Sequence, residues 1–465
     1  MTRTRVSGPP RRMSSRDAAF LYLERPQALL HIGCVALLEG ALDRNELVDR
    51  LEARLPRLRR YAQRALPVPL ALGHPTWEDD PDFAVHRHVQ RWALPAPGGD
   101  AELREAVEAL IAQPLDRERP LWEMHLLEGL HGGRTAVLQK VHHCMVDGMA
   151  GVQLLEALLD ASASAADEAL AAAPHAPEIP PPAARAGRAL AEGLRGPLRL
   201  AAATLGAVRG PAAARDAVAR LRDAAFSAVQ LAARDVPALP WNARLGSARR
   251  LAFTRLPMEG VRRIRRRFGG TVNDVVLTVL AGGLHHYLVA SGHPTRGLEL
   301  TALVPVSLRD AEAARALGNR ISGMLVPLCV DATEEVPRLA ATRATTERLK
   351  QRAAWTGIDA LLGALDELPA PLVALFGQRI GLGRLAHVVA TNVPGPRETR
   401  WMAGRRVEAL LPIVPITHGI GLGLAVLSYD GWLHVGLNTD AALLPDLDKL
   451  RHGIETAFER LLRNG

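Results

Sequence analysis

Residues 135–151 read TAVLQKVHHCMVDGMAG. An apolar, partly β-branched run through Ala136, Val137, Leu138 and Val141 ends in two adjacent histidines, His142 and His143. Asp147 and Gly148 follow, and then an apolar stretch over 152–159. The pattern predicts a strand, a turn and a helix. Successive strand side chains point to opposite faces, so only one of the two histidines faces a given cavity. A metal site needs imidazoles that converge on one ion, which adjacent strand positions do not provide, so no metal is expected. One imidazole aimed into a cavity suits a general base, because its ordinary pKa lies near neutrality. Either histidine alone reads more readily as a satisfied core residue than as a catalyst. The four fixed positions of H-H-x-x-x-D-G together argue for chemistry.

The rest of the chain sets the scale. At 465 residues it is too long for one ordinary core, and two domains are expected. A hydrophobic content of 48% is that of a globular protein. Cys34, Cys144 and Cys329 are widely spaced and odd in number, which gives no disulfide framework and points to a reducing cytosol. The basic segment 1–17 lacks the apolar core of a secretory signal, and no run of eighteen apolar residues marks a spanning helix. A net charge of +8 admits nucleic acid, anionic lipid or a phosphorylated substrate as partner. With 4% aromatics and no zinc-finger spacing, nucleic acid is the weakest of the three, and no such partner is expected.

Outward from the histidines, a hairpin is expected: a strand over 123–127, a glycine turn over 129–133, and the return strand from Thr135. Before it come a short helix over 17–23 capped by Ser15, a strand over 31–38 and a helix over 43–55 striped by Leu47, Leu51 and Leu55. A strand over 83–91 and a helix over 101–112 follow. From 161 to 241 alanine and arginine dominate, with a proline cluster over 174–182 that reads as a linker. Residues 183–233 look helical, with Leu190, Leu194 and Leu198 on one stripe and Arg188, Arg195, Arg199, Arg209 and Arg220 between. Such a helix suits a membrane surface, and solvated arginines on a packed connector explain it as well. The second half reads as a strand over 249–256, a basic helix over 258–268, and an apolar helix opened by the Thr271/Asp274 capping pair. Strands then end at Val306 and follow Gly318, ATNVPGP (390–396) forms a crossover between sheets, a hairpin turns at Asp430-Gly431, and a last helix spans 446–462. The expected division is 1–165, 166–245 and 246–465.

Other catalytic signatures are missing. No serine sits in G-x-S-x-G and no phosphate-cradling loop is present. Gly381-x-Gly383-x-x-Ala386 and Gly419-x-Gly421-x-Gly423 lack the flanking strand, helix and acidic residue of a dinucleotide loop, and read as turn or packing glycines. Cys144 reads as a small core residue.

The 142–148 motif resembles HHxxxDG of the CoA-dependent acyltransferases, which include chloramphenicol acetyltransferase, carnitine acyltransferases and peptide-synthetase condensation domains. More of the chain resembles the bacterial wax ester synthase/diacylglycerol acyltransferase family. The matching segments are an opening in which Asp17, Phe20, Glu24 and His31 recur in order, Pro120-Leu121-Trp122, Asn273-Asp274, Gly318, Asn319 and Ser322, NVPGP and SYDG. For Asp17 and Glu24 a packed helix is the plainer explanation. His285-His286 departs from the family, which more often has Leu-Arg there. The resemblance spans nearly everything outside the Ala/Arg-rich connector.

It implies an α/β fold of two related domains, each a mixed sheet flanked by helices, with a tunnel between them. It also implies transfer of a long-chain acyl group from acyl-CoA to diacylglycerol or a fatty alcohol, with no cofactor beyond the acyl-CoA co-substrate. The expected setting is the cytoplasm, peripherally at the inner membrane face or lipid inclusions. By the same resemblance His143 is the base, and His142 and Asp147 complete the catalytic motif, with Asp147 shaping the loop. Gly148, Asn273 and Asp274 lie at the substrate, while Pro120, Trp122 and Arg309 are structural, Arg309 as a partner for Asp147. Asn273 or a backbone N–H serves as oxyanion donor. A condensation-type enzyme using carrier-protein thioesters and a non-catalytic lipid-binding protein of the same fold stay open.

Overall fold

The computed structural model describes residues 12–145, 153–164, 181–193, 239–307, 321–351 and 386–464. Near the N-terminus, helix α1 (Ser15–Leu23) is capped by Ser14 and not Ser15: the Ser14 hydroxyl accepts the Asp17 N–H at 3.0 Å, one residue earlier than the sequence suggested. The apolar run HIGCVALL forms β1 (His31–Leu38). Asp43 caps α2 (Arg44–Arg54), whose Leu47 and Leu51, with Leu55 just beyond, are buried at helical spacing. A two-stranded ribbon, β2 (Gln63–Leu66) with β3 (Thr76–Asp79), follows. The strand expected over 83–91 begins late, as β4 (Val89–Ala93). Before it a 3-10 turn brings His88 under Trp122, and regular pairing starts only at Val89 opposite Met124. Helix α3 (Asp100–Ile111) leads to the hairpin of β5 (Trp122–Glu128) and β6 (Thr135–His142), and α4 (Gln153–Leu158) and α5 (Pro182–Gly193) come after the motif.

The first sheet has the order β11-β12-β1-β6-β5-β4. Its outer strands β11 (Trp401–Met402) and β12 (Arg405–Ile413) come from the second half of the chain, 360 or so residues after β1 by numbering. β12 pairs antiparallel with β1, Val35 opposite Leu411. The Pro394-Gly395-Pro396 segment is where the chain leaves the second sheet to complete the first, as the crossover reading expected.

The second sheet has the order β7-β14-β13-β10-β8-β9 and is mixed. β10 (Val388–Pro394) runs parallel to both β13 (Leu422–Tyr429) and β8 (Leu300–Ser307). β14 (Trp432–Asp440) runs antiparallel to β13 and to β7 (Arg249–Pro257), and β9 (Ile321–Leu328) antiparallel to β8. The β13–β14 hairpin turns on Asp430 and Gly431, both at positive φ, as an Asp-Gly turn requires.

One face of this sheet carries α6 (Met258–Phe268), α7 (Val272–Ala290), α8 (Glu335–Gln351) and α9 (Leu447–Arg463) over a single apolar core. α7 is long and apolar enough to cross a membrane, yet 72% of that span is buried inside the protein, where it is the central core helix. His285 and His286 on α7 are half-buried. His285 Nδ1 bonds the Val330 carbonyl at 2.8 Å, and His286 lies 3.8 Å from Glu335.

β12 also packs against the open face of the second sheet. Asn438 donates to the Val414 carbonyl at 2.8 Å, Tyr429 to the Val407 carbonyl at 2.8 Å, and Gly436 admits the Pro412 carbonyl where any Cβ would overlap it. One strand thus belongs to one sheet by hydrogen bonds and touches the other by packing.

Candidate active site

β6 delivers the two histidines differently from a continuing strand. His142 is its last residue, and His143 opens a 3-10 turn (His143–Met145). The His142 N–H donates to the Leu121 carbonyl and the His143 N–H to the Leu30 carbonyl, each at 2.9 Å, so both backbones are fixed. Leu121 belongs to Pro120-Leu121-Trp122. Trp122 is fully buried, stacked on His88 at 4.5 Å, and donates to the Tyr61 carbonyl at 2.7 Å. Pro120 and Trp122 therefore hold the carbonyl to which the motif is tied.

The imidazole of His142 is committed on both nitrogens. The Cys144 N–H donates to Nδ1 at 3.1 Å, which leaves the ring proton on Nε2, facing a Glu24 carboxylate oxygen 2.8 Å away. Glu24 ends α1 and also accepts from the Leu30 N–H at 3.1 Å and from Arg117 at 2.8 Å. Burial alone would raise its pKa, but hydrogen bonding to His142 and then to Arg117 outweighs burial and holds the carboxyl far below its ordinary range. His31 sits opposite His142 across the β1–β6 pair, its ring 5.8 Å away and its Nε2 3.6 Å from Glu24. Burial above all pushes its pKa well below 6.5.

His143 is placed otherwise. It is only partly buried, and its ring lies parallel to that of Phe20, centroids 4.0 Å apart and planes within 8°. Cys144 is buried, and burial together with Asp17 and Glu24 lifts its thiol well above 9, which removes a thiolate from the site. No group of three or more histidine, cysteine or acidic side chains suited to a metal exists among the described residues.

Asn273 and Asp274 occupy the first turn of α7. Asp274, expected at the substrate, is engaged inside the protein. One carboxylate oxygen accepts the Thr271 N–H at 2.7 Å and the Thr271 hydroxyl at 2.8 Å, and the other accepts the Thr346 hydroxyl at 2.7 Å. It is a capping residue that also ties α8 to α7. Asn273 is half-buried beside it. Asp147, Gly148, Arg309, Gly318 and Asn319 lie outside the described residues, as do Gly381, Gly383 and residues 194–238 of the connector. Gly421 and Gly423 are packing glycines against Trp241 and Val414, and Gly419 is a turn. Glu24, His31 and Arg117 are the site residues that the sequence undervalued or missed. Glu24 was visible only as one of four recurring positions, and nothing local in the sequence reveals that His31 pairs with His142 or that Arg117 reaches Glu24.

Comparison with known proteins places this geometry. Residues 13–276 match the wax ester synthase/diacylglycerol acyltransferase catalytic domain, and residues 317–462 the C-terminal domain of the same family. A Mycobacterium bovis protein described as a diacylglycerol O-acyltransferase is 34% identical over 97% of this chain and 95% of its own length. Among solved structures, the wax ester synthase/diacylglycerol acyltransferase from Marinobacter aquaeolei VT8 superposes with a TM-score of 0.70 at 24% identity, covering 98% of this chain and 99% of that one. The first condensation domain of the calcium-dependent antibiotic synthetase shares the fold at a TM-score of 0.60 and 17% identity, covering 98% and 97%. With both family domains matched in order around a histidine pair held in this way, the chain is an O-acyltransferase that belongs to the wax ester synthase/diacylglycerol acyltransferase family.

Proposed function

We propose that the protein transfers a long-chain acyl group from acyl-CoA to the hydroxyl of a diacylglycerol or a fatty alcohol, with His143 as general base and no acyl-enzyme. The observation that carries this reading is the saturation of His142. With Nδ1 accepting from Cys144 and Nε2 donating to Glu24, that ring has no lone pair for a substrate proton, which leaves the partly exposed His143. The raised Cys144 thiol and the absence of a serine elbow favour direct transfer.

His143 takes the proton of the acceptor hydroxyl while its oxygen attacks the thioester carbonyl carbon. The tetrahedral intermediate collapses with cleavage of the C–S bond, and the imidazolium returns the proton to the departing CoA sulfur. Asn273, at the positive end of α7, is the side-chain candidate for holding the oxyanion. Such acceptors reside in membranes or lipid inclusions, so the enzyme works at that surface, and the arginine-bearing connector over 183–233 is its contact.

His143→Ala is expected to abolish CoA release from palmitoyl-CoA with either hexadecanol or dipalmitin, while circular dichroism and thermal melting stay those of the parent. Undiminished turnover in that variant rules the base out. Activity confined to a carrier-protein thioester instead of free palmitoyl-CoA transfers the protein to the condensation-type reading.

A further inference from the structure

Helix α1 reaches both histidines through two side chains one turn apart. Glu24 holds His142, and Phe20 lies face to face with His143 at 4.0 Å and 8°. A face-to-face stack of this closeness fixes the plane of the imidazole and with it the direction in which the nitrogen-bearing edge points. The phenyl face is also the negative side of the ring quadrupole, so it attracts a cation centred above it. A base that takes a proton in the transition state becomes such a cation.

We propose that Phe20 is a positioning residue for acyl transfer: its ring holds the His143 imidazole in its working plane and stabilises the imidazolium formed as the acceptor hydroxyl loses its proton. The proposal rests on the general-base reading of His143. Among the described residues, the charged and titratable groups that act on its neighbours Cys144 and His31 are Asp17 and Glu24 from α1, Arg60 from the 3-10 turn Arg59–Ala62, Arg117 from the segment before β5, and His142 and Lys140 on β6. Phe20→Leu leaves all of them in place and keeps the imidazole covered by an apolar side chain, so only the aromatic face is lost.

The test is an NMR titration of histidine-labelled protein, with the His143 signal assigned by its absence in His143→Ala, run alongside the pH dependence of kcat/KM. Removing the aromatic face disfavours the protonated ring. In Phe20→Leu the His143 midpoint is therefore expected to fall by roughly half to one pH unit. The acid limb of kcat/KM moves down with it, kcat drops roughly three- to tenfold at optimal pH, and KM for both substrates is unchanged. Phe20→Trp restores the midpoint and the rate. An unshifted His143 titration overturns the proposal. So does a rise in KM for palmitoyl-CoA at unchanged kcat, the mark of a wall of the acyl channel. A titration that shifts while the rate limb stays in place keeps the ring contact and removes His143 from the role of base, so the two readings fail separately.

Discussion

Glu24 commits one of two adjacent histidines. Its carboxylate accepts from His142, Leu30 and Arg117 at once and locks that ring, which under the proposed mechanism assigns the chemistry to His143. Glu24→Gln keeps the shape, but the amide cannot accept on both ends, and either the Arg117 or the His142 contact is lost. The expected result is a fall in kcat of up to about a hundredfold with KM little changed, measured by CoA release. Stability carries a second signature. A carboxyl whose pKa is lowered by folding contributes stability that is complete above its unfolded value near 4.3 and is lost as pH falls toward the folded one. Glu24→Gln is therefore expected to unfold at lower urea than the parent at pH 7, with the gap narrowing as pH is lowered toward 3. A gap independent of pH excludes this role for the charge.

At the scale of elements, β12 joins the two sheets. It is hydrogen-bonded to β1 on one side, and its Pro412 carbonyl sits against Gly436 of β14 on the other. Glycine at 436 follows from that approach, because any side chain must push β12 off the second sheet. Gly436→Ala is expected to cost about 1–3 kcal/mol through overpacking and to lower Tm by several degrees in calorimetry. An unchanged Tm shows that the two sheets are not held at this distance. The same element explains why the sequence division at residue 246 is not a spatial one. The sequence alone assigns no strand to Arg405–Ile413, and which sheet a strand joins depends on pairing with β1, a partner remote in the chain.

At the scale of the molecule, the segment between α1 and β1 lies between the two halves. Arg249 of β7 donates to the Gln27 carbonyl, and Ala28 packs with Leu245, Ile416 and Leu443. The stretch that begins with Glu24 and ends with the Leu30 carbonyl under His143 is thus clasped by the second half. The connector is the other whole-molecule question. A deletion confined to 195–233 leaves α5 (Pro182–Gly193), whose Arg185 donates to the Pro67 carbonyl at 3.1 Å. That variant is expected to float less with anionic liposomes while keeping turnover on detergent-dispersed acceptor, and undiminished flotation removes the connector from the membrane contact.

What the sequence determined by itself were the features set by neighbours along the chain: the strand into His142, the Asp-Gly hairpin, the Thr271/Asp274 cap, and a motif whose residue types permit acyl transfer. Periodicity and capping act over a few residues and are written locally. The tertiary structure decided how each histidine is held, because that follows from Glu24 meeting His142, Phe20 meeting His143 and His31 lying opposite on β1. Those contacts join residues more than a hundred positions apart, and only the folded chain brings them side by side.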